Sequence, residues 1–140
     1  CVGKLLVDVE RRGISNLKVF SDDAVQVLED VIPVNSIDHL QIFFPDPWHK
    51  KRHHKRRLIQ PDFVSLAASR LSSSGNLHVA TDWEPYAAHM MNVLSATEAL
   101  ENMAGDRQFS PRPESRPITK FERRGHRLGH GVWDLLFTKR

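Results

Sequence analysis

The sequence predicts an α/β protein with a doubly wound sheet, because apolar strand patterns alternate with amphipathic helical patterns along its 140 residues. Hydrophobic residues make up 40% of the chain and charged residues 26%, as in an ordinary globular protein. No apolar run approaches the roughly 20 residues that span a bilayer, and no signal-peptide pattern opens the chain. The single cysteine, Cys1, excludes an internal disulfide framework and fits a reducing compartment. We therefore expect one cytoplasmic domain without membrane contact.

The first half of the chain predicts two helices and two strands. Val2, Leu5, Leu6 and Val9 follow the spacing of one helical face, and Gly13 suits the position just after that helix. The elements expected next are a short strand at Leu17–Phe20, a helix that carries Ala24, Val27, Leu28 and Val31 on one face and stops at Pro33, and a buried strand at Ile37–Phe44.

The second half of the chain predicts two more helices with a strand between them, followed by an irregular connection and a last strand. Proline suits the first turn of a helix, so Pro61 and Pro85 are expected to lie at two helix starts, with Ser72–Gly75 ending the first helix. The remaining segments are expected to form a strand at Asn76–Thr81, a long irregular connection at 101–117, and a closing strand at Val132–Phe137 that is antiparallel or at an edge.

The start of the chain departs from the usual order of an α/β unit. Such a unit normally begins with a strand, whereas this chain begins with a helical pattern and lacks an initiating Met. Its seven glycines are scattered, and Gly129-His130-Gly131 precedes a strand rather than a helix, which makes it a poor nucleotide loop. We therefore expect the first strands and the Gly-rich loop of the domain to lie outside these residues.

Positive charge is concentrated between residues 49 and 57. This segment holds six of the 20 Lys and Arg residues and no acid, and the rest of the chain has 14 basic against 17 acidic residues. Such a density of cations indicates a polyanionic partner such as a nucleic acid, although a charge run is ordinarily a solvated face. His49, His53 and His54 do not predict a metal site, because neighbouring cations repel a metal ion and no Cys or carboxylate cluster completes the ligand set.

Pro45-Asp46-Pro47-Trp48 directly follows the most hydrophobic predicted strand. The carboxyl ends of strands are where open α/β sheets bind ligands. Two prolines restrict the backbone around Asp46, and Trp48 offers a flat face for stacking. The loop therefore suits recognition of a planar base, and a stiff turn with a solvated Asp is the alternative.

Three other polar sites have two interpretations each. Asp82 ends the Asn76–Thr81 strand, on the same edge as Asp46 if the strands are parallel, and it either caps the next helix or binds a base or ribose. Asp23 either caps a helix or contacts an adenine ring, and the cap is the simpler explanation. Residues 119–127 form either a basic surface loop or a second substrate contact in which Phe121 stacks.

Together these segments resemble the tRNA (guanine-N7-)-methyltransferase family. Several long motifs in the right order, over essentially all 140 residues, make the resemblance specific. The motifs are Phe43–Lys50, Arg56-Arg57, Ala80–Tyr86, Thr119–Glu122 and the bacterial-type Gly125–Leu135. The resemblance implies that residues 1–140 are the C-terminal part of a single Rossmann-like methyltransferase domain that lacks its first strands and Gly-rich loop. It also implies S-adenosylmethionine as cofactor and a guanine in the variable loop of tRNA as substrate.

The resemblance also implies roles for individual residues. Asp46 corresponds to the active-site residue and also lies beside the methyl donor, and Asp23 matches a donor-binding acid. The substrate-binding positions are Lys50, Asp82, Thr119, Lys120, Phe121 and Glu122. The RNA-contacting stretch is Arg52, His53, His54, Lys55, Arg56 and Arg57. No metal is implied, and we expect a monomer whose 140 residues alone bind the donor poorly and are inactive.

The rival interpretation is a non-catalytic RNA-binding protein built on a methyltransferase scaffold. The basic segment supports either interpretation equally, but three acids on the binding edge of a sheet, Asp23, Asp46 and Asp82, are a poor way to bind RNA by charge. Guanine N7 carries a free lone pair, so methyl transfer to it is an in-line displacement governed by positioning and electrostatics. We therefore expect Asp46 to hold the base rather than to act as a strong general base.

Overall fold

The computed structural model describes residues 2–127 and 131–140. Two compact units are distinguished, Cys1–Ile32 and Pro33–Arg140, and the single domain expected over residues 1–140 stays a prediction. The elements are α1 (Val2–Arg11), α2 (Ala24–Asp30), β1 (Ile37–Phe43), a 3₁₀ helix (Lys51–Arg56), α3 (Pro61–Arg70), β2 (Leu71–Thr81), α4 (Glu84–Ser95), β3 (Leu100–Asn102), α5 (Lys120–Arg127) and β4 (Trp133–Lys139).

The strands of the C-terminal unit form one mixed sheet in the order β1-β2-β4-β3. β1 and β2 are parallel, with Phe43 opposite Ala80, so both strands end at the same edge. β4 lies between β2 and β3 and is antiparallel to both. The chain segments that follow β1 and β2 therefore leave the sheet side by side.

The core of the C-terminal unit lies where α3 and α4 pack on the sheet. Its fully buried side chains include Val64 on α3, Met90 on α4, Val79 on β2 and Leu135 on β4. Full burial of one such side chain contributes about 1.5–3 kcal/mol relative to exposure. The helices thus fix the sheet from which the site loops emerge.

The helices and strands predicted around this core are confirmed, with one shift in β2. α3 begins at Pro61, and α4 has Pro85 in its first turn. Ser72–Gly75 was expected to end α3, but α3 already ends at Arg70 and β2 begins at Leu71. Ser72–Gly75 instead forms a bulge inside β2, so that the register passes from Ile37 opposite Leu71 to His39 opposite Asn76. A Cβ atom on Gly75 would lie 2.8 Å from the Ile37 carbonyl oxygen, which explains the glycine.

Other predicted segments differ from the structure. The strand prediction at Leu17–Phe20 is wrong, because these residues are irregular and pair with no strand in the described part of the chain. The closing strand is antiparallel as expected but lies inside the sheet, because β3 covers its other side. Residues 120–127 form α5 rather than a loop, and β3 overlaps the first two residues of the segment predicted to be irregular.

The N-terminal unit contains α1 and α2. Gly13, with φ +65°, follows the end of α1 in the left-handed conformation that glycine adopts readily, as the sequence predicts. Asp23 is the N-cap of α2, and its Oδ1 accepts a hydrogen bond of 2.8 Å from the Val25 amide. The cap interpretation of Asp23 is therefore confirmed. No helix in the described residues is long and apolar enough to cross a membrane.

Candidate active site

Asp46 and Asp82 lie at one edge of the sheet, as expected for residues that follow parallel strands. The pairing of β1 with β2 continues to the last residue of β1, and the Phe44 amide then donates a hydrogen bond of 2.8 Å to the Ala80 carbonyl oxygen. The loop that carries Asp46 therefore leaves the sheet beside the end of β2. This arrangement brings the two predicted carboxylates to the same side of the fold.

The loop after β1 holds the Asp46 carboxylate in a defined orientation. Phe44 and Trp48 have φ angles of 54° and 46°, which bulky side chains rarely adopt. The Trp48 amide donates a hydrogen bond of 2.9 Å to Oδ1 of Asp46. Asp46 is exposed, and its Oδ2 has no hydrogen-bond partner in residues 2–127 and 131–140. One oxygen thus orients the turn while the other is available to a ligand.

Asp82 does not cap α4, so the cap interpretation is wrong, and its binding of a base or ribose stays a prediction. The N-cap residue is Trp83, and no side chain caps the helix. The Trp83 amide donates instead to Oγ1 of Thr81, at 3.2 Å. Asp82 is half-buried and makes no hydrogen bond to a described residue. Its carboxylate is therefore also available for a ligand.

The basic segment of residues 50–57 follows the Asp46 loop and contains the 3₁₀ helix. Most of the predicted RNA-contacting residues are accessible there: Arg52, Lys55 and Arg56 are exposed, and His53 and His54 are half-buried. Lys50, predicted to bind substrate, is also exposed. Arg57 is the exception, because only 4% of the residue is exposed. The cationic surface therefore ends at Arg56.

Aromatic rings lie beside these cations. The Arg56 guanidinium is 5.2 Å from the centroid of the Trp48 ring, within cation–π distance, and the His53 ring centroid is 5.8 Å from it. His49 meets Trp83 edge to face, with ring centroids 4.2 Å apart. The segments that follow β1 and β2 thus contact each other through aromatic rings at the edge that carries the two carboxylates.

The segment Thr119–Glu122, predicted to bind substrate, forms the start of α5. Oγ1 of Thr119 accepts a hydrogen bond of 3.0 Å from the Glu122 amide, as an N-terminal capping residue does. Thr119 and Lys120 are exposed, whereas Glu122 is buried and pairs with the Arg116 guanidinium at 2.5 and 3.3 Å. The side chain of Phe121 lies outside the described part of the structure.

Arg116 is the centre of a buried ionic cluster that consists of Arg116, Glu122, Asp134 and His78. Its Nε and Nη2 donate to the Asp134 carboxylate at 2.7 and 2.8 Å, and Nε2 of His78 donates to the same carboxylate at 2.8 Å. The hydrogen bond to Asp134 is the main reason that the pKa of Arg116 is raised. Burial alone would raise the pKa of Asp134, but hydrogen bonds from His78 and Arg116 outweigh it and lower that pKa.

The cluster touches the Asp46 loop, and sequence reasoning missed it. The Arg116 guanidinium lies 5.6 Å from the centroid of the Phe44 ring. Arg116 stands in a Pro-rich connection without a motif, so nothing local marks it. The position of Asp134 could have indicated the cluster, because an acid inside an apolar strand pattern needs a buried partner. No group of three or more His, Cys, Asp or Glu side chains that could hold a metal is found in the described residues.

The architecture matches that of solved methyltransferases. An rRNA methylase from Streptococcus thermophilus gives a TM-score of 0.59 at 14% identity and covers 99% of this chain and 66% of its own. A Streptococcus mutans protein in complex with SAH, described as a "putative methyltransferase", gives 0.58 at 13% identity over 99% and 70% of the two chains. The predicted Rossmann-like fold of S-adenosylmethionine-dependent methyltransferases is thereby confirmed.

Sequence comparison narrows this class to a family. The family model Methyltransf_4, described as "Putative methyltransferase", matches residues 1–135, and the chain belongs to this family. Two relatives, each named tRNA (guanine-N(7)-)-methyltransferase, come from Alcanivorax borkumensis, with 59% identity over 139 residues, and Klebsiella pneumoniae, with 55% over 138. The resemblance found in the sequence is therefore confirmed. These matches cover 99% of this chain, which spans about 58% of the length of either relative.

Proposed function

We propose that the protein containing these residues transfers a methyl group from S-adenosylmethionine to N7 of a guanine in the variable loop of tRNA. The proposal rests chiefly on one observation: Asp46 and Asp82 follow the carboxyl ends of the paired parallel strands β1 and β2, and a dense cationic segment comes directly after Asp46. The names of relatives at 55–59% identity support it. We further propose that the protein acts as a monomer in the cytoplasm, with tRNA as its partner.

Asp46 suits contact with the methyl donor. Asp46 presents an exposed carboxylate that a loop hydrogen bond keeps in place. S-adenosylmethionine, when bound, supplies an electrophilic methyl group on its sulfonium, and SAH in the Streptococcus mutans neighbour supports this choice of cofactor. Asp23 caps α2 through Oδ1, which leaves Oδ2 for a donor N–H, and its role as a donor-binding acid stays a prediction.

The chemistry requires positioning rather than a strong base, because N7 of guanine already carries a lone pair. In the proposed complex the Asp46 carboxylate accepts hydrogen bonds from N1–H and the exocyclic amino group of the base. It also offsets the positive charge that develops on the ring as the methyl group is transferred. Asp82, at the same edge, supplies a second acceptor for the base or the ribose. Holding the base in line with the methyl group then lowers the barrier.

The tRNA is held by charge and stacking around these carboxylates. The exposed cations of residues 50–56 bind phosphates, and the Trp48 ring offers a surface for a base that has left its stack. The proposed substrate contacts Lys50, Thr119 and Lys120 are exposed and suited to direct contact. Glu122 is buried on Arg116, so its proposed role in substrate binding is indirect.

A chimera tests this proposal. The present chain replaces the matching 139 residues of the Alcanivorax borkumensis relative, and tRNA methylation is followed with S-adenosylmethionine labelled on the methyl group. We expect transfer to the same guanine N7 that the parent relative modifies. A chimera that folds and binds tRNA, but neither binds S-adenosylmethionine nor transfers the methyl group, contradicts the proposal and favours the non-catalytic RNA-binding protein.

Asp46→Asn in the chimera extends the same test to the catalytic residue. The amide keeps the size of the side chain and removes its charge, so kcat/KM is expected to fall by about 10²–10³ while thermal unfolding stays unchanged. Asp62→Asn is the matched control, because Asp62 is exposed in the first turn of α3 and outside the proposed site. Near-normal turnover by the folded Asp46→Asn variant would remove the catalytic assignment.

A further inference from the structure

Arg57 differs from the other cations of the basic segment in its surroundings. It is buried, whereas Arg56 immediately before it is exposed. Its Nε donates a hydrogen bond of 2.6 Å to the Pro47 carbonyl oxygen, and its guanidinium lies 4.8 Å from the centroid of the Tyr86 ring. Tyr86 is fully buried on α4, and its hydroxyl accepts a hydrogen bond of 3.1 Å from the Ile59 amide. Arg57 therefore lies inside the protein, between the Asp46 loop and α4.

These surroundings do not suit a phosphate contact. An arginine that binds phosphate needs its N–H groups at the surface, where the contact can release counterions. Burial lowers the pKa of Arg57, although the nearby Tyr86 has the opposite effect. Nη2 is buried and has no hydrogen-bond partner in the described residues. A cation that is costly to bury, yet is held by two specific contacts, indicates a positioning role.

The peptide group between Pro47 and Trp48 connects Arg57 to Asp46. Its carbonyl oxygen accepts the hydrogen bond from Arg57, and its N–H donates the hydrogen bond to Oδ1 of Asp46. Because a peptide group is planar, one hydrogen bond on each side fixes the orientation of the whole group. Trp48 has a φ of 46°, so the loop is strained here and needs outside contacts to keep its conformation.

We propose that Arg57 is a positioning residue that orients the Asp46 carboxylate through the Pro47–Trp48 peptide, and that the tRNA-contacting cations end at Arg56. Only the expected effect of Arg57 on turnover rests on the proposed function. It also removes Arg57 from the RNA-contacting stretch that the family resemblance implies. Arg56 and Arg57 thus have different tasks, and a substitution of Arg56 is the matched control for the same substitution of Arg57.

Salt-dependent tRNA binding by the chimera separates the two tasks. Each lost phosphate contact reduces the slope of log affinity against log salt by about 0.7–0.9. Arg56→Gln is expected to reduce the slope by this amount, whereas Arg57→Gln is expected to leave it unchanged. An equal loss of slope in Arg57→Gln would show a phosphate contact and overturn the inference.

Amide hydrogen exchange provides a measurement that does not depend on tRNA and uses a milder substitution. Arg57→Lys keeps the charge but removes the Nε–H that binds the Pro47 carbonyl oxygen. We expect the Trp48 amide to exchange several-fold faster in this variant, while the Val79 amide in β2 exchanges as in the wild type. Unchanged exchange at Trp48 would mean that Arg57 does not hold the peptide.

A double-mutant cycle in the chimera tests whether Arg57 acts through Asp46. Arg57→Lys is expected to lower kcat roughly 10- to 100-fold with little change in KM for tRNA, because the carboxylate is misplaced. In the Asp46→Asn background the same substitution should have almost no further effect, and additive losses would contradict the inference. A wild-type chimera without methyl transfer would contradict the proposed function alone, since the binding and exchange measurements need no turnover.

Discussion

At the scale of single residues, the buried ionic cluster near the candidate site is the feature whose disruption is expected to cost the most stability. Arg116 holds Asp134 on β4 and Glu122 on α5, and its guanidinium also faces the Phe44 ring. Removing one member of a buried ion pair typically costs about 3–5 kcal/mol, because the remaining charge is left uncompensated. The cluster therefore ties the start of α5 to the sheet beside the Asp46 loop.

Acid is expected to destabilise the protein through Asp134. Its pKa is lower in the folded protein than the ordinary value near 4, so the unfolded chain binds the proton more readily. The stabilisation is complete above that ordinary value and is lost as the pH falls through the folded-state pKa. Arg116, with its raised pKa, stays charged throughout this range. Urea unfolding at pH 7 and at acidic pH measures the effect as the free energy of unfolding.

Asp134→Asn is the informative variant in that experiment. We expect it to lose about 3–5 kcal/mol at pH 7 and to show a weaker dependence on acid than the wild type. Glu101→Gln on β3 removes one exposed carboxylate and is the control. If Asp134→Asn keeps the acid dependence of the wild type, other carboxylates account for it.

The individual site residues differ in how well the sequence could predict them. The location of Asp46 and Asp82 at one edge of the sheet could be predicted because both directly follow apolar strands, and strand ends mark the binding edge of an α/β sheet. The burial of Arg57 could not be predicted, because it depends on Tyr86, which lies 29 positions further along the chain. The role of Glu122 likewise depends on Arg116 in a segment without periodicity. Local patterns locate such residues but do not show which groups they contact.

At the scale of helices and strands, prediction succeeded where an element buries one regular face. In α4 the residues Ala87, Met90, Met91 and Leu94 recur at helical spacing, and all four are buried, which is a pattern that a sequence shows directly. α5 carries few apolar residues, and its start depends on the Thr119 cap and on the pairing of Glu122. β3 has three residues and exists through its pairing with β4. Tertiary pairing specifies β3, which no local pattern predicts, whereas α5 has one local signal in the Thr-x-x-Glu spacing of Thr119 and Glu122.

The start of α5 is expected to loosen when the Thr119 hydroxyl is removed. Thr119→Val keeps the shape of the side chain but loses the oxygen that accepts from the Glu122 amide, at a typical cost of about 1 kcal/mol. Hydrogen exchange at the Glu122 amide should become roughly fivefold faster, while exchange in β2 stays as it is. Thr119→Ser retains the acceptor and should behave as the wild type. Equal exchange in both variants would mean that the cap does not stabilise α5.

At the scale of the whole molecule, the positive charge is confined rather than spread. The chain has a formal net charge of +3, yet without residues 49–57 it has more acidic than basic residues. The fold places that segment directly after β1, beside the edge that carries Asp46 and Asp82. A local field of this kind guides a polyanion to one place, whereas net charge alone provides general attraction.

Two variants of equal net charge distinguish local field from general attraction. Each replaces four exposed cations with Gln and lowers the formal charge by four, from +3 to −1. The first removes Lys51, Arg52, Lys55 and Arg56, and the second removes Lys4, Arg11, Arg12 and Lys18. We expect the first to lose most of the salt-dependent tRNA affinity, by about 0.7–0.9 in slope for each phosphate contact, if these cations bind phosphates as proposed. The second should keep nearly the wild-type slope in the same titration. Equal losses in both would show that net charge governs the affinity and that the segment is not a tRNA site.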